Sequence, residues 1–540
     1  MGLSGRLRWL RGRAERGLDI GFRVAGDRLS DALNVVGVQT PWLTSSYAAI
    51  DQWLATASSV PRGTGRKIGV YHLRNVYWAE WAAYCCFRLR ILGHEPVLLY
   101  SSRSIERHLK QRFLLDKNAR GLWKKVLHNN AFEVLDLDPL LEGGAEPGEE
   151  ALESFRLAAQ MSVSYDMGRE FVLDEEKIVA QQDEIARFSE AAQRVTQELE
   201  LDRAIVPSAI VGETRGLLEG FRLAGIDVVT VEGWGLVARH MIWNLNLPVL
   251  HFDYQGWFDV LPELSPPQEA LMESFLAFQE DPRSSEGGPW SSYRVYQPAS
   301  VDDPLPDGLE LFLRSGRPTV LLGTNVVGDT ATLGREIGFE SQLDWLEQTL
   351  EWFKARPDVG LVIRVHPGEL FGGCAMPLGP WLEERVADQE NVHLVGPEER
   401  VNTYAIAKRV VGGLLYVSNL GSDLVARGLP VITVGKTPYF GLEIAQEARS
   451  AEHYVELVQR LFAGELEVSP QARKNALRQI YVFTRLTSME ARPTDGRSEY
   501  DALSSSGTDR LSRYYRALAG DLSRAEQVAY DHAEVKSLAG

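Results

Sequence analysis

The stretch "IGVYHLRNVYWAEWAAYCCFRLRILGHEPVLLYSS" (68–102) decides the fold. Ile68 to Tyr71 is a short apolar run fit for a buried strand. From Ala79 to Ile91 apolar residues recur three and four apart, the period of a helix with one buried face. Gly93 ends that helix, and "PVLLY" (96–100) begins a second strand. Strand, helix, strand at this spacing is a βαβ unit, which requires a parallel strand pair with a helix covering it.

The same order returns in "LDRAIVPSAIVGETRGLLEGFRLAGIDVVTVEGWG" (201–235). There "AIVP" is the strand, "LLEGFRLAG" the helix with its glycine stop, and "IDVVTVE" the next strand. Residues 101–200 read as mostly helical and charged, with no chemical motif. "DDPLPDG" (302–308) reads as a linker. A second doubly wound unit starts at "RPTVLLGTNVVGDTATLGREIGF" (317–339) and continues through a helix at about 341–355 and the strand "LVIRVHPGE" (361–369). "NVHLVGPEE", "KRVVGGLLYVS" and "LPVITVGK" add short strands. The expected organisation is a basic helical extension (1–60), a first Rossmann-like domain with a helical insertion (61–300), a second (301–465) and a helical tail (466–540).

Composition bounds the function. A chain of 540 residues exceeds one hydrophobic core. The formal net charge of -17 argues against a general nucleic-acid binder, whose phosphate contacts need clustered Lys and Arg. Cys85, Cys86 and Cys374 make neither a disulfide framework nor a metal-binding pair, which fits a reducing cytoplasm. No apolar run reaches membrane-spanning length. Residues 1–28 carry seven arginines against Glu15, Asp19 and Asp27, with leucines at helical spacing. Such a segment suits either peripheral contact with the anionic inner face of the cytoplasmic membrane or docking on the protein's own body.

Ligands of doubly wound sheets bind beyond the carboxyl ends of strands. Arg364, His366, Pro367 and Glu369 stand there in the second half. Pro367 stops the strand ladder. His366 is a phosphate donor and, as imidazolium, a positive charge. Glu369 suits vicinal hydroxyls. In "LLYVSNLGSDLVARGLPVITVGKTPYFG" (414–441) a strand ends at Ser418-Asn419 and a helix begins near Gly421. Its first N–H groups offer an anion site, and Lys436 and Tyr439 follow the next strand. Asn325 and Asp329 sit in the loop after strand 318–323, where Asp329 also suits an N-cap. In the first half, Glu213 opens a helix after a strand; it suits either the helix dipole as a first-turn carboxylate or the role of general base, for which it is the first candidate. Asp253 with His251, and Glu80 with His72, are the others. Trp257 and the aromatics Trp234 and Trp243 suit either sugar stacking or packing.

These segments resemble the capsule polysaccharide biosynthesis family of bacterial proteins, GT-B glycosyltransferases related to 3-deoxy-manno-octulosonate (Kdo) and sialic-acid transferases. Asn325, Val326 and Asp329 match the family's Asn-Val-x-x-Asp loop. Ile363, Arg364, His366, Pro367 and Glu369 match its Ile-Arg-x-His-Pro-x-Glu strand end. Ser418, Gly421, Ala426, Gly428, Pro430, Val431 and Ile432 match part of a third element. Asn419 and Asp423 depart from it, standing where lysine and glutamate are common. The resemblance implies an α/β, GT-B chain of two Rossmann-like domains, in which the second binds a nucleotide-sugar donor, CMP- or UDP-linked, through Asn325, Arg364, His366, Pro367, Glu369, Ser418, Asn419, Gly421, Lys436 and Tyr439. The first would take a glycan or lipid-linked acceptor through His72, Asp253 and Trp257, with Glu213, Asp329 and His366 in the chemistry. No DxD triad stands at a strand end, so neither a metal nor a cofactor is expected. A nucleotide-sugar 2-epimerase and a non-catalytic nucleotide- or glycan-binding assembly protein are the competing readings.

Overall fold

The computed structural model describes residues 41–72, 76–105, 124–142, 149–170, 172–234, 240–281, 299–371, 376–490 and 510–538. The basic segment 1–28, Glu80's side chain and Cys374 lie outside the described residues, as does Trp234's side chain. The chain divides into two compact units. Unit 1 gathers Met1–Ala159, Val179–His251 and Met489–Gln527; unit 2 gathers Gln160–Ile178, Phe252–Ser488 and Val528–Gly540.

Unit 1 is built on a seven-stranded sheet in the order β13-β6-β5-β4-β1-β2-β3. The strands are β1 (Lys67–Tyr71), β2 (Glu95–Tyr100), β3 (Glu133–Asp136), β4 (Arg203–Pro207), β5 (Asp227–Trp234), β6 (His240–Leu245) and β13 (Ser488–Glu490). β3, β2, β1, β4 and β5 run parallel, and β6 pairs antiparallel with β5. Helices Val76–Ile91 and Gly212–Leu223 make the crossovers predicted from their periodicity. Val97, Leu99, Ala204, Val206, Leu217 and Phe221 fill one core layer. Cys85 and Cys86 are free thiols buried in the first crossover helix, where burial pushes both well above the usual thiol range.

Unit 2 holds a six-stranded sheet, β12-β11-β10-β7-β8-β9. Its strands are β7 (Thr319–Gly323), β8 (Gly360–Arg364), β9 (Val392–Val395), β10 (Gly412–Leu415), β11 (Val431–Thr433) and β12 (Gln446–Glu447). All pairings are parallel. Read from β9 to β12, this is the 3-2-1-4-5-6 order of a doubly wound fold, with its switch point between β7 and β10. Unit 1 repeats the order, with its switch point between β1 and β4. Trp345, Leu350, Phe353, Tyr416, Tyr454 and Leu461 anchor the unit 2 core.

Several expectations change. Residues 101–200 contain a strand, β3, whose four residues are half exposed and carry too little apolar signal to stand out. Residues 302–308 are not a domain linker: they lie inside unit 2, and Asp307 opens a helix, Asp307–Leu313. The boundary falls near 251 rather than 300. Helix Pro266–Glu280 packs within unit 2, where Asn402 Nδ2 donates to the carbonyls of Gln279, Glu280 and Ala299 at 2.9–3.2 Å. The tail is not one appendage. Its helix Arg510–Ala519 docks in unit 1, where Arg88 Nη2 donates to Ser512 Oγ at 2.8 Å and Tyr515 meets Tyr84 edge-on. Asp521 then binds Arg66 at 2.6 Å and His94 at 2.8 Å. Asp531 instead belongs to unit 2, buried against Arg485 at 2.9 Å and Tyr481. Among the described residues no helix is long and apolar enough to cross a membrane.

Candidate functional site

In unit 2 the carboxyl ends of β7, β8 and β10 converge at the switch point. The Thr324 N–H donates to the Arg364 carbonyl at 3.2 Å, and the Thr324 hydroxyl accepts from the His366 N–H at 3.0 Å. These bonds extend the β7–β8 pairing past both strands. On the other side, Asn325 bridges to β10's continuation: its Nδ2 donates to the Val417 carbonyl at 2.5 Å, and its Oδ1 accepts from the Val417 N–H at 3.3 Å. Gln342 completes the frame by binding both backbone groups of Asn325, at 2.7 and 3.1 Å. An amide imitating a strand neighbour spans the crevice where the strand order reverses.

His366 stands above that frame. The Gly368 N–H donates to its Nδ1 at 2.9 Å, which assigns the ring proton to Nε2. Burial lowers the ring's pKa against the opposing pull of Asp329, with Arg364 adding to the depression. Burial therefore favours the neutral Nε2–H form of the ring, a hydrogen-bond donor without the charge of an imidazolium. Asp329 is exposed and turns its own loop: its Oδ1 accepts from the Ala331 N–H at 3.1 Å, short of a helix N-cap.

Other predicted donor-binding residues hold the frame. Arg364 is buried, with Nη1 on the Gly396 carbonyl and Nη2 on that of Glu399 at 3.3 Å, so it fixes the turn after β9. Pro367 opens a short 3-10 turn, Pro367–Phe371. Both Glu369 oxygens accept from the Leu378 N–H, at 3.0 and 3.1 Å, anchoring the start of helix Leu378–Val386. Burial raises the Glu369 pKa to about 7 against those N–H bonds. The expected anion site at Gly421 is likewise engaged. The Leu420 N–H donates to Ser418 Oγ at 3.2 Å, Gly421 to the Ser418 carbonyl at 3.4 Å, and Ser422 to the Asn419 carbonyl at 3.1 Å. Tyr439 is buried and donates to the Ser418 carbonyl at 2.9 Å. Asn419 Oδ1 is a buried acceptor at this edge with no hydrogen-bond partner. Asp423 faces away, accepting from Tyr404 at 2.8 Å and Gln279 at 3.0 Å. The Lys436 side chain is exposed, while its backbone pairs with Arg335 at 2.8 and 2.9 Å.

Sequence reasoning missed a strap over this edge. Residues Gln160–Ile178 belong to unit 2. A Cβ on Gly328 would meet the Arg169 nitrogen at 2.7 Å, and one on Gly334 would meet Met161 Sδ at 2.9 Å. Glu170 Oε2 accepts from the Leu343 N–H at 3.2 Å, at the first turn of helix Gln342–Lys354. Burial raises the Glu170 pKa from 4.5 to about 7, with Glu336 contributing repulsion. A carboxyl raised on folding gives stability that is fully present below its unfolded value and is lost as pH rises through its folded value. Wild type should therefore lose melting temperature between about pH 4.5 and about pH 7 relative to Glu170→Gln, which cannot ionise. Parallel melting curves of the two proteins across that window would sink the assignment.

In unit 1, Glu213 lies in the first turn of helix Gly212–Leu223, after β4. Its carboxylate accepts from Ser104 Oγ and from Tyr71, the last residue of β1. Burial, with Glu213 beside it, pushes the Tyr71 phenol well above its usual range. Between β4 and this helix Ser208 and Ala209 both take left-handed φ, 56° and 57°, a costly conformation for residues with a Cβ. Asp138 closes the neighbouring turn, accepting from Ser101 Oγ at 2.7 Å, Ser102 Oγ at 2.5 Å and the Arg103 N–H at 2.7 Å. His72 is buried at the end of β1. Asp253 and Trp257, expected with it, fall in unit 2. Asp253 caps helix Tyr254–Val260, accepting from the Gly256 N–H at 3.0 Å, and Trp257 is buried in that helix. Among the described residues no cluster of three or more His, Cys, Asp or Glu could hold a metal ion.

No protein-family model matches the chain, and no curated protein matches it. Solved structures do. The beta Kdo 2,4 transferase KpsC of Thermosulfurimonas dismutans is similar at 15% identity and TM-score 0.35, over 56% of this chain and 87% of that one. The UDP-GlcNAc 2-epimerase of Neisseria meningitidis, solved with UDP-GlcNAc, is similar at 11% identity and TM-score 0.25, over 78% and 99%. MurG of Acinetobacter baumannii is similar at 13% identity and TM-score 0.29, over 81% and 99%. The fold itself is read from the two doubly wound sheets, the first mostly and the second wholly parallel.

Proposed function

We propose that the chain is a GT-B glycosyltransferase that moves a sugar from a nucleotide-activated donor, CMP- or UDP-linked, to a glycan or lipid-linked acceptor in capsular or other surface polysaccharide assembly. The observation that carries this reading is the switch point of unit 2, where Asn325 bridges β7 to β10 and His366 presents a neutral Nε2–H. A neutral donor of this kind suits a phosphate oxygen, and the exposed ammonium of Lys436 supplies charge on the same edge. Arg364, Glu369 and Tyr439 act by holding that edge in shape. Glu213 is the base in this reading: the acceptor oxygen bonds to the anomeric carbon, the bond from that carbon to the phosphate oxygen breaks, and the acceptor proton passes to the carboxylate. In this reading the protein works in the cytoplasm, and residues 1–28 would meet the inner membrane face where lipid-linked acceptors sit.

A ligand that binds only the folded state raises its melting temperature. One member of a panel of CMP, CDP, UDP, GDP and their sugars should stabilise wild type, and His366→Ala should weaken that nucleotide by about tenfold. No shift with any nucleotide defeats the reading. Conversion of a UDP-sugar without acceptor would instead identify an epimerase, and binding without turnover an assembly protein.

A further inference from the structure

From Val179 on, helix Glu175–Leu199 belongs to unit 1 and turns one face toward the carboxyl edge of the sheet. Ala180, Asp183, Glu184, Arg187 and Phe188 recur three and four apart on that face and line a cavity of about 290 Å³. The facing wall is Ser101, Arg103 and Ser104, just after β2, with Leu141 beside them. The helix is held in this rotation by two glycines of helix Gly212–Leu223. A Cβ on Gly216 would lie 2.3 Å from the Ile185 carbonyl oxygen, and one on Gly220 would lie 2.0 Å from that of Ser189. The backbones therefore touch, and the polar face is fixed over the sheet edge.

We propose that this cavity is a binding site for a neutral saccharide, the acceptor end of the transfer proposed above and resting on that reading only for the word acceptor. Asp183 and Glu184 accept hydrogen bonds from sugar hydroxyls; Arg103 and Arg187 donate to them. Leu141 gives an apolar surface for the C–H face of a ring, and Phe188, 3% exposed, backs the wall. Charge selects against an anionic ligand: two carboxylates offset two guanidinium groups, and Arg103 already pairs with Glu142 at 2.7 Å. The volume matches about one sugar ring at the lower end of small-ligand sites. Ser104 joins the cavity to the chemistry, because its hydroxyl donates to Glu213. Glu213 itself lies outside the lining, one hydroxyl away from it.

The full chain is tested on an array of neutral and acidic oligosaccharides, and by saturation-transfer NMR with millimolar glucose, mannose and N-acetylglucosamine. Wild type should bind neutral saccharides. Asp183→Asn and Arg187→Ala, both at exposed positions, should each weaken that binding by about tenfold while leaving the nucleotide-induced melting shift unchanged. Absence of saccharide binding by wild type, binding of acidic glycans alone, or variants that bind like wild type each overturn the proposal. Saccharide binding without any nucleotide shift would leave the cavity standing and remove the transferase reading.

Discussion

Gly220→Ala should cost unit 1 about 2–3 kcal/mol, a large share of a typical domain's stability. The new Cβ would stand 2.0 Å from the Ser189 carbonyl oxygen and 2.7 Å from the Ala192 Cβ. Neither obstacle is the movable end of a long side chain, so relief requires the two helices to separate. Helix propensity favours alanine over glycine by about 1 kcal/mol, which offsets only part of that overlap. Separation would also lift Asp183, Glu184 and Arg187 away from Ser101 and Ser104. The loss should therefore appear twice, as a lower denaturation midpoint and as weaker saccharide binding. A control at Gly225 has no comparable neighbour, since a Cβ there meets nothing within 4 Å, although its φ of 81° carries its own strain. If Gly220→Ala unfolds at the wild-type midpoint, the helices have room that the backbone contact denies them.

That contact explains what the sequence could and could not reveal. The βαβ segments were legible because each buries its own periodic face: β1, β4, β7 and β8 fall within a residue or two of their apolar runs, and helix Gln342–Lys354 matches the predicted 341–355. The strand ends carrying His366, Ser418 and Glu213 were legible for the same reason, since a parallel strand's exit is fixed once the strand is. The partners of those side chains were not. Arg364 reads as a phosphate ligand until the turn after β9 supplies two carbonyls for it. Asp253 reads as an acceptor ligand, yet an aspartate three residues ahead of a free N–H is equally an N-cap signal, and that is the role it takes. The unit boundary is hidden because it depends on distant pairs: Arg478 binds the carbonyls of Phe258 and Leu261 at 2.8–3.1 Å, joining the start of the tail to residues that the local pattern assigns to the first domain. No local pattern encodes such a bond.

Gly421→Ala should damage unit 2 at the proposed nucleotide edge. A Cβ there would overlap Tyr439 Oη at 1.9 Å and Cζ at 2.9 Å. A tyrosine hydroxyl at the surface would swing aside, but Tyr439 is 1% exposed and its hydroxyl is held by the Ser418 carbonyl at 2.9 Å. Either the ring leaves its pocket or helix Leu420–Ala426 shifts, and each movement carries Ser418 and Asn419 with it. The expected cost is about 2 kcal/mol in stability, with loss of the nucleotide-induced melting shift. Tyr439→Phe alone should cost about 1 kcal/mol, the usual value of one hydrogen bond, and should keep most of the nucleotide response. The double variant separates the two causes. Removing Oη abolishes the 1.9 Å overlap and leaves the milder one at Cζ, so Gly421→Ala with Tyr439→Phe should be more stable than Gly421→Ala by itself, a coupling that a double-mutant cycle measures directly. Additive losses would mean that the glycine matters for some reason other than the tyrosine packed against it. Recovery of stability without recovery of nucleotide binding would place the Tyr439 hydroxyl's hold on Ser418, rather than the bulk of the ring, at the centre of how this edge is shaped.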